Sequence, residues 1–207
     1  MRYPAVIFLV LVMALALIGC QEATLDDPRT PREHPIAERL DTDIVVQIHD
    51  DWMLGFVPYT FQPLVVDPRF YANNNMQRGD IVYFSHPETE DNRILRIVGL
   101  GGERIRMKQG QVYIDDKRLD AFYGKNLNDL RALGKQLKQS DLMAYEIENI
   151  QNVIRFVENE NMDEILIPQD SVFLMGDNRG RAMDSVMLGP IPIDAIIGKV
   201  VGVLDEP

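Results

Sequence analysis

The pattern of apolar and polar positions changes character three times along the chain. Ala5–Gly19 is an uninterrupted apolar run of 15 residues behind a single cation, Arg2. A membrane-crossing helix needs about 20 apolar residues, so this run fits the central region of an export signal. Residues 21–42 then carry Pro28, Pro31 and Pro35 among charges with little apolar periodicity, which predicts an extended, flexible tether. From Asp43 onward the pattern becomes short runs rich in Val, Ile, Tyr and Phe, most of them bounded by Gly, Pro, Asp or Asn. Strands are predicted at Ile44–Ile48, Leu64–Val66, Asp80–Phe84, Ile94–Val98, Gln111–Ile114, Ser171–Met175 and Ile196–Val203. The stretch QVYIDDKRL reads as a hairpin with Asp115 and Asp116 at its turn.

One segment departs from this β pattern. Leu127, Leu130, Leu133 and Leu137 recur at helical spacing, and Met143, Ile147, Ile150, Ile154 and Val157 do so again beyond a helix start at Ser140 or Asp141. A helical hairpin over 125–160, inserted into a mostly β domain, is the expectation. It would serve either as a flap over the domain's own core or as a surface for a partner.

Composition sharpens this picture. At 207 residues and 46% hydrophobic content the chain can bury one sizeable core. Its formal net charge of -11 argues against nucleic acid and against adhesion to anionic lipid. Cys20 is the sole cysteine, so no internal disulfide is available. There is no H-E-x-x-H and no Cys/His cluster, so neither metal nor cofactor is expected.

The apolar run ends Leu17-Ile18-Gly19-Cys20, which resembles the lipobox of bacterial lipoproteins. That resemblance implies a signal peptide over 1–19, lipidation of Cys20, a tether over 20–42 and a domain over 43–207. It places the domain in the periplasm, held to the bacterial envelope by lipid. Gln21 is not the aspartate that favours inner-membrane retention, so the outer membrane is expected.

Three further stretches carry a second resemblance. RGDIVYF (Arg78–Phe84), RILRIVGLGGERI (Arg93–Ile105) and IPQDSVFLMGDNRGRAMDSVMLG (Ile167–Gly189) follow the order and rough spacing of type I signal peptidases. That family cleaves leader peptides with a serine nucleophile and a lysine base. Its fold is a coiled, partly barrel-shaped antiparallel β domain. Gly176, Asp177, Asn178, Arg179, Asp184, Ser185 and Gly189 match the family's Gly-Asp-Asn-Arg and Asp-Ser motif, whose residues brace the site.

The departures fall on the chemistry. The family lysine precedes an arginine, and here that pair is Leu95-Arg96. A lysine acts as base only when burial makes its amine neutral; leucine has no lone pair, and Arg96 stays protonated. His49-Asp50-Asp51-Trp52-Met53 aligns with the family's nucleophile segment and puts Trp52 at the serine; no serine precedes Ser85 and no lysine precedes Lys108. The serine that would hydrogen-bond the lysine is Ala182, and the arginine of the Asp-Ser-Arg motif is Val186. His34, His49 and His86 are the histidines available, and Thr60 with His49 or His86 has nothing to orient it.

The resemblance therefore implies a non-catalytic homologue. It would bind extended peptide, such as a preprotein-like segment, by strand addition, or bind an envelope protein. Trp52 would fill the vacated space or form an aromatic platform. The alternatives are an active signal peptidase I-type serine endopeptidase and a purely structural envelope lipoprotein.

Overall fold

The computed structural model describes residues 22–33, 35–53, 62–86, 88–89, 91–125 and 130–205. The signal run, Cys20, His34 and Thr60 lie outside the described residues. Two open β-sheets make up the domain. The larger contains β2 (Ile36–Ala37), β3 (Ile44–Gln47), β4 (Pro63–Asp67), β5 (Ile81–Ser85), β6 (Asn92–Gly99), β11 (Ser171–Met175), β12 (Ile191–Pro192) and β13 (Ile196–Leu204). Its order is β12-β11-β6-β5-β13-β4-β3, with β2 parallel to the end of β13. The smaller has β1 (Thr24–Asp26), β7 (Arg104–Lys108), β8 (Gln111–Ile114), β9 (Lys117–Asp120) and β10 (Met162–Leu166), in the order β1-β9-β8-β7-β10.

All seven predicted strands are present, and the domain is mostly β. The expected partial barrel is not: β12 and β3 end one sheet and β1 and β10 the other, and neither pair joins. β7 escaped the sequence reading because RIRMK looks charged, yet Ile105 and Met107 point inward while Arg104 and Lys108 face water. The hairpin over β8 and β9 turns at Asp115 and Asp116, with φ of 47° and 63°. Aspartate tolerates that left-handed backbone better than most residues.

The expected tether is corrected more strongly. β1 pairs in parallel with β9, and β2 with β13, so residues 22–33 and 35–42 form a strap tied to both sheets. Between them Asp27 accepts from the Thr30 hydroxyl, from the Arg29 and Thr30 amides and from the Tyr123 hydroxyl. Thr30 packs on Gly79, where a Cβ would overlap its hydroxyl and where φ is 90°. Prolines kept this segment from looking like sheet, but they fall between the two short strands, where no ladder amide is needed.

The helices are α1 (Phe70–Asn73), α2 (Leu130–Gln136), α3 (Ala144–Asn159) and α4 (Ser185–Leu188). α2 and α3 form the expected insertion and contact each other. α3 starts at Ala144 rather than at Ser140 or Asp141, because the Glu146 carboxylate accepts from the Met143 amide at 2.8 Å. It turns Ile150 and Val157 inward.

Two apolar clusters form the core. One lies on the large sheet around Leu64, Val82, Phe84, Leu95 and Leu174, and the other joins the sheets through Ile105, Val112, Leu119, Ile167 and Phe173. The two strands that carry the family-like motifs, β6 and β11, are adjacent and lie at this junction.

Candidate functional site

β11 is buried along its whole length and delivers the chain to Gly176. A Cβ there would stand 2.3 Å from the Ala182 Cβ, 2.8 Å from the Trp52 carbonyl oxygen and 3.5 Å from Leu95 Cδ2. Only glycine admits this approach, and the three residues assigned to nucleophile, base and base-partner positions meet around one atom. Leu95 and Ala182 are buried in the same cluster as Met53, and the half-buried Trp52 packs against it.

The motif residues and their neighbours hold this loop through buried and half-buried polar bonds. Arg96 donates from Nε to Asp177 Oδ1 at 2.9 Å and from Nη2 to Oδ2 at 2.6 Å, while its Nη1 donates to the Gly79 carbonyl at 2.9 Å. Both partners are 1% exposed, a buried bidentate pair between β6 and the loop after β11. The Asn178 amide donates to the Trp52 carbonyl, and its Nδ2 to the Asp51 carbonyl, each at 2.9 Å. Asn178 thereby fixes the 50–53 segment against the motif loop. Its own carbonyl accepts from Arg181 and Ala182, which curls the loop so that Ala182 points back at Gly176.

Asp184 caps α4 by accepting from Val186 at 3.0 Å and also accepts from Gly176 at 3.1 Å. Burial raises its carboxyl pKa above the ordinary value, against the pull of those amides and of Arg179. The Ser185 hydroxyl accepts from the Leu174 amide at 2.9 Å and is buried, so its oxygen is committed to the backbone. Arg179 reaches away from the cluster. It donates to the Tyr123 carbonyl at 2.9 Å, to Met107 Sδ at 3.1 Å and to Glu160 at 3.4 Å, tying the motif loop to the end of α3.

Several of these partners could not be read from sequence. The Arg93 guanidinium lies 5.1 Å over the Trp52 ring, and its buried Nη1 has no hydrogen-bond partner among the described residues. Arg181 forms an exposed ion pair with Asp51. Burial raises the pKa of Asp50, with the Asp51 charge adding to it and the Trp52 amide and Arg93 opposing. Hydrophobic spacing marks a buried strand on β6 but says nothing of which residue stacks on which ring.

Chemically, the centre offers an isobutyl group, a methyl group, a thioether and an indole. His86 lies elsewhere, at the end of β5, with Nδ1 accepting from the Glu88 and Thr89 amides. No cluster of three metal-ligating side chains occurs among the described residues. Beside Ala182 a groove of about 470 Å³ opens between α3 and the motif loop, lined by Met107, Phe156, Arg179, Met183 and Met187 among others. Phe156, Met183 and Met187 are 41%, 40% and 71% exposed, an unusual concentration of large apolar groups facing water.

The chain matches the family described as signal peptidase, peptidase S26, over residues 57–204. A signal peptidase I of Rickettsia prowazekii is 31% identical over 131 residues, 59% of this chain and 50% of that protein. A signal peptidase IB of Staphylococcus aureus strain Mu50 is 26% identical over 156 residues, covering 69% of this chain and 74% of that one. The chain thus spans about half the length of the first relative and about three quarters of the second. A crystal structure of a signal peptidase I from Enterococcus faecalis V583 superposes with a TM-score of 0.42 at 21% identity, over 61% of this chain and 97% of that one.

Proposed function

Since the chain belongs to the signal peptidase, peptidase S26, family, we propose that it is a non-catalytic member, anchored by lipid at Cys20, that binds an extended peptide. The observation carrying this reading is the closure of Leu95, Ala182 and the Trp52 carbonyl around Gly176, with Met53 in the same apolar cluster. A serine peptidase needs a nucleophile and a base within hydrogen-bond reach, and no group at these positions can give or take a proton. Peptide binding needs neither. The groove beside Ala182 supplies methionines and a phenylalanine that adapt to different apolar side chains, as methionine-rich recognition surfaces do. The same lipid anchor puts the domain in the periplasm, on the outer membrane.

The test uses the full chain in detergent with a preprotein and with a leader-like apolar peptide. No cleavage is expected. Peptide binding is expected to change the emission of Trp52, the chain's one tryptophan. Met187→Lys should weaken binding about tenfold by placing a charge in the groove. Cleavage at a leader junction that is lost in Thr60→Ala or Ser185→Ala would make the protein an active endopeptidase. Absence of both binding and cleavage would favour a structural lipoprotein.

A further inference from the structure

We infer that the outer face of the five-stranded sheet lies directly on phospholipid headgroups, with Arg106, Tyr113 and Arg118 as its contacts. This rests on the lipid anchor at Cys20, and it replaces the long tether that the sequence suggests. Glu22 already lies at the sheet, its carboxylate 3.6 Å from Arg118 Nε. The Ala23 carbonyl accepts from the Arg118 amide at 2.8 Å, and β1 begins at Thr24. From Cys20 to Glu22 is two Cα steps, about 7 Å at most. An acylated cysteine sits at headgroup level, so this corner of the small sheet must sit there too.

The chemistry of the face agrees with that placement. Arg106, Tyr113 and Arg118 are directly opposite one another across β7, β8 and β9. Their neighbours Ile105, Val112, Ile114 and Leu119 are buried, so these three point outward. The Arg106 guanidinium lies 4.1 Å over the Tyr113 ring. Tyrosine with long-stemmed cations is the side-chain set that bilayer interfaces favour, apolar body below and polar end in the headgroups.

The face is mixed in charge, its arginines Arg104, Arg106 and Arg118 standing among Glu22, Asp116, Asp120 and Glu164. The ion pairs of these arginines with Glu22, Asp116, Asp120 and Glu164 are at the surface. Such pairs are weak and exchange for lipid phosphate at little cost.

Because acylation consumes the single native thiol, one added cysteine is uniquely labelled. Arg106→Cys marks the proposed contact. Asp41→Cys marks the approach to β3, which is four strand spacings from β6, about 19 Å. Each acylated full-length variant, carrying a fluorophore, is placed in phosphatidylethanolamine–phosphatidylglycerol vesicles containing nitroxide-labelled lipid. Quenching at position 106 is expected to exceed that at position 41 severalfold. A Gly/Ser spacer of about 20 residues inserted after Gln21 should abolish the difference. Equal quenching at the two positions, or stronger quenching at 41, overturns the apposition while leaving the anchor intact. Cys20→Ala separates the two claims: release from membranes upholds the anchor, and retention overturns both.

Discussion

Leu95 and Asp177 show how one site divides its residues between occupation and support. Leu95 fills space, so Leu95→Ala should lower unfolding free energy by about 2–5 kcal/mol in urea titration. Leu95→Met, which keeps volume, should cost less than about 1.5 kcal/mol. Asp177 holds a buried charge. Asp177→Asn leaves the Arg96 guanidinium, 1% exposed, without its counter-ion and should cost about 3–5 kcal/mol. A smaller loss for Asp177→Asn than for Leu95→Met would contradict that division. At this scale the sequence was most legible where a motif is contiguous: Asp177, Asn178, Asp184 and Ser185 lie together on the loop after β11 and the turn into α4. It was least legible where partners are remote. Arg96 and Asp177 are 81 residues apart, and nothing local tells either which charge it will meet.

The strap is where element-level reading failed, and the reason is physical. A strand of two or three residues has no room for hydrophobic alternation, so β1 and β2 are specified by what they dock on rather than by their own pattern. Longer strands such as β6 and β13 carry enough β-branched residues to be found alone. The strap's attachment is titratable through Asp27. Burial alone would raise its pKa, but the hydroxyls of Thr30 and Tyr123 and the Arg29 and Thr30 amides outweigh that and lower it. A lowered folded-state pKa means the attachment contributes fully above the ordinary aspartate value of 3.8. It is lost as pH falls through 3.8 toward the lower folded value. Asp184, raised by burial, has the opposite sign: it favours the folded state less as pH climbs above 3.8. Hydrogen exchange at the Arg118 amide, which donates to Ala23, separates the two. Its protection should fall on acidification below 3.8 in the parent, and in Asp27→Asn it should be lower at neutral pH and insensitive to acid. Acid-sensitive protection in Asp27→Asn would assign the titration to another group.

At the scale of the molecule, the strap makes the boundary of the folded unit an experimental question with two sharply different answers. The change of pattern at Asp43 suggests a domain beginning there, and a fragment starting at Asp43 keeps every strand of the family-like region. It also loses β1 from the edge of β9, β2 from β13, Leu25 from the second apolar cluster and the Asp27 bonds over Tyr123. Partial burial of one leucine and the charged hydrogen bonds at Asp27 together amount to about 3 kcal/mol. For a domain of this size that corresponds to a melting temperature lower by about 6–12 °C. A fragment starting at Glu22 should melt with the full chain. The loss should also be local in its cause: the newly bared edge of β9 presents unpaired backbone groups, so the shorter fragment is expected to self-associate at concentrations where the longer one stays monomeric. Coincident melting curves for the two fragments would show that the strap only rests on the sheets. A depressed melt for the Asp43 fragment would instead make the strap a structural member, with the small sheet's outer face held wherever residue 22 is held.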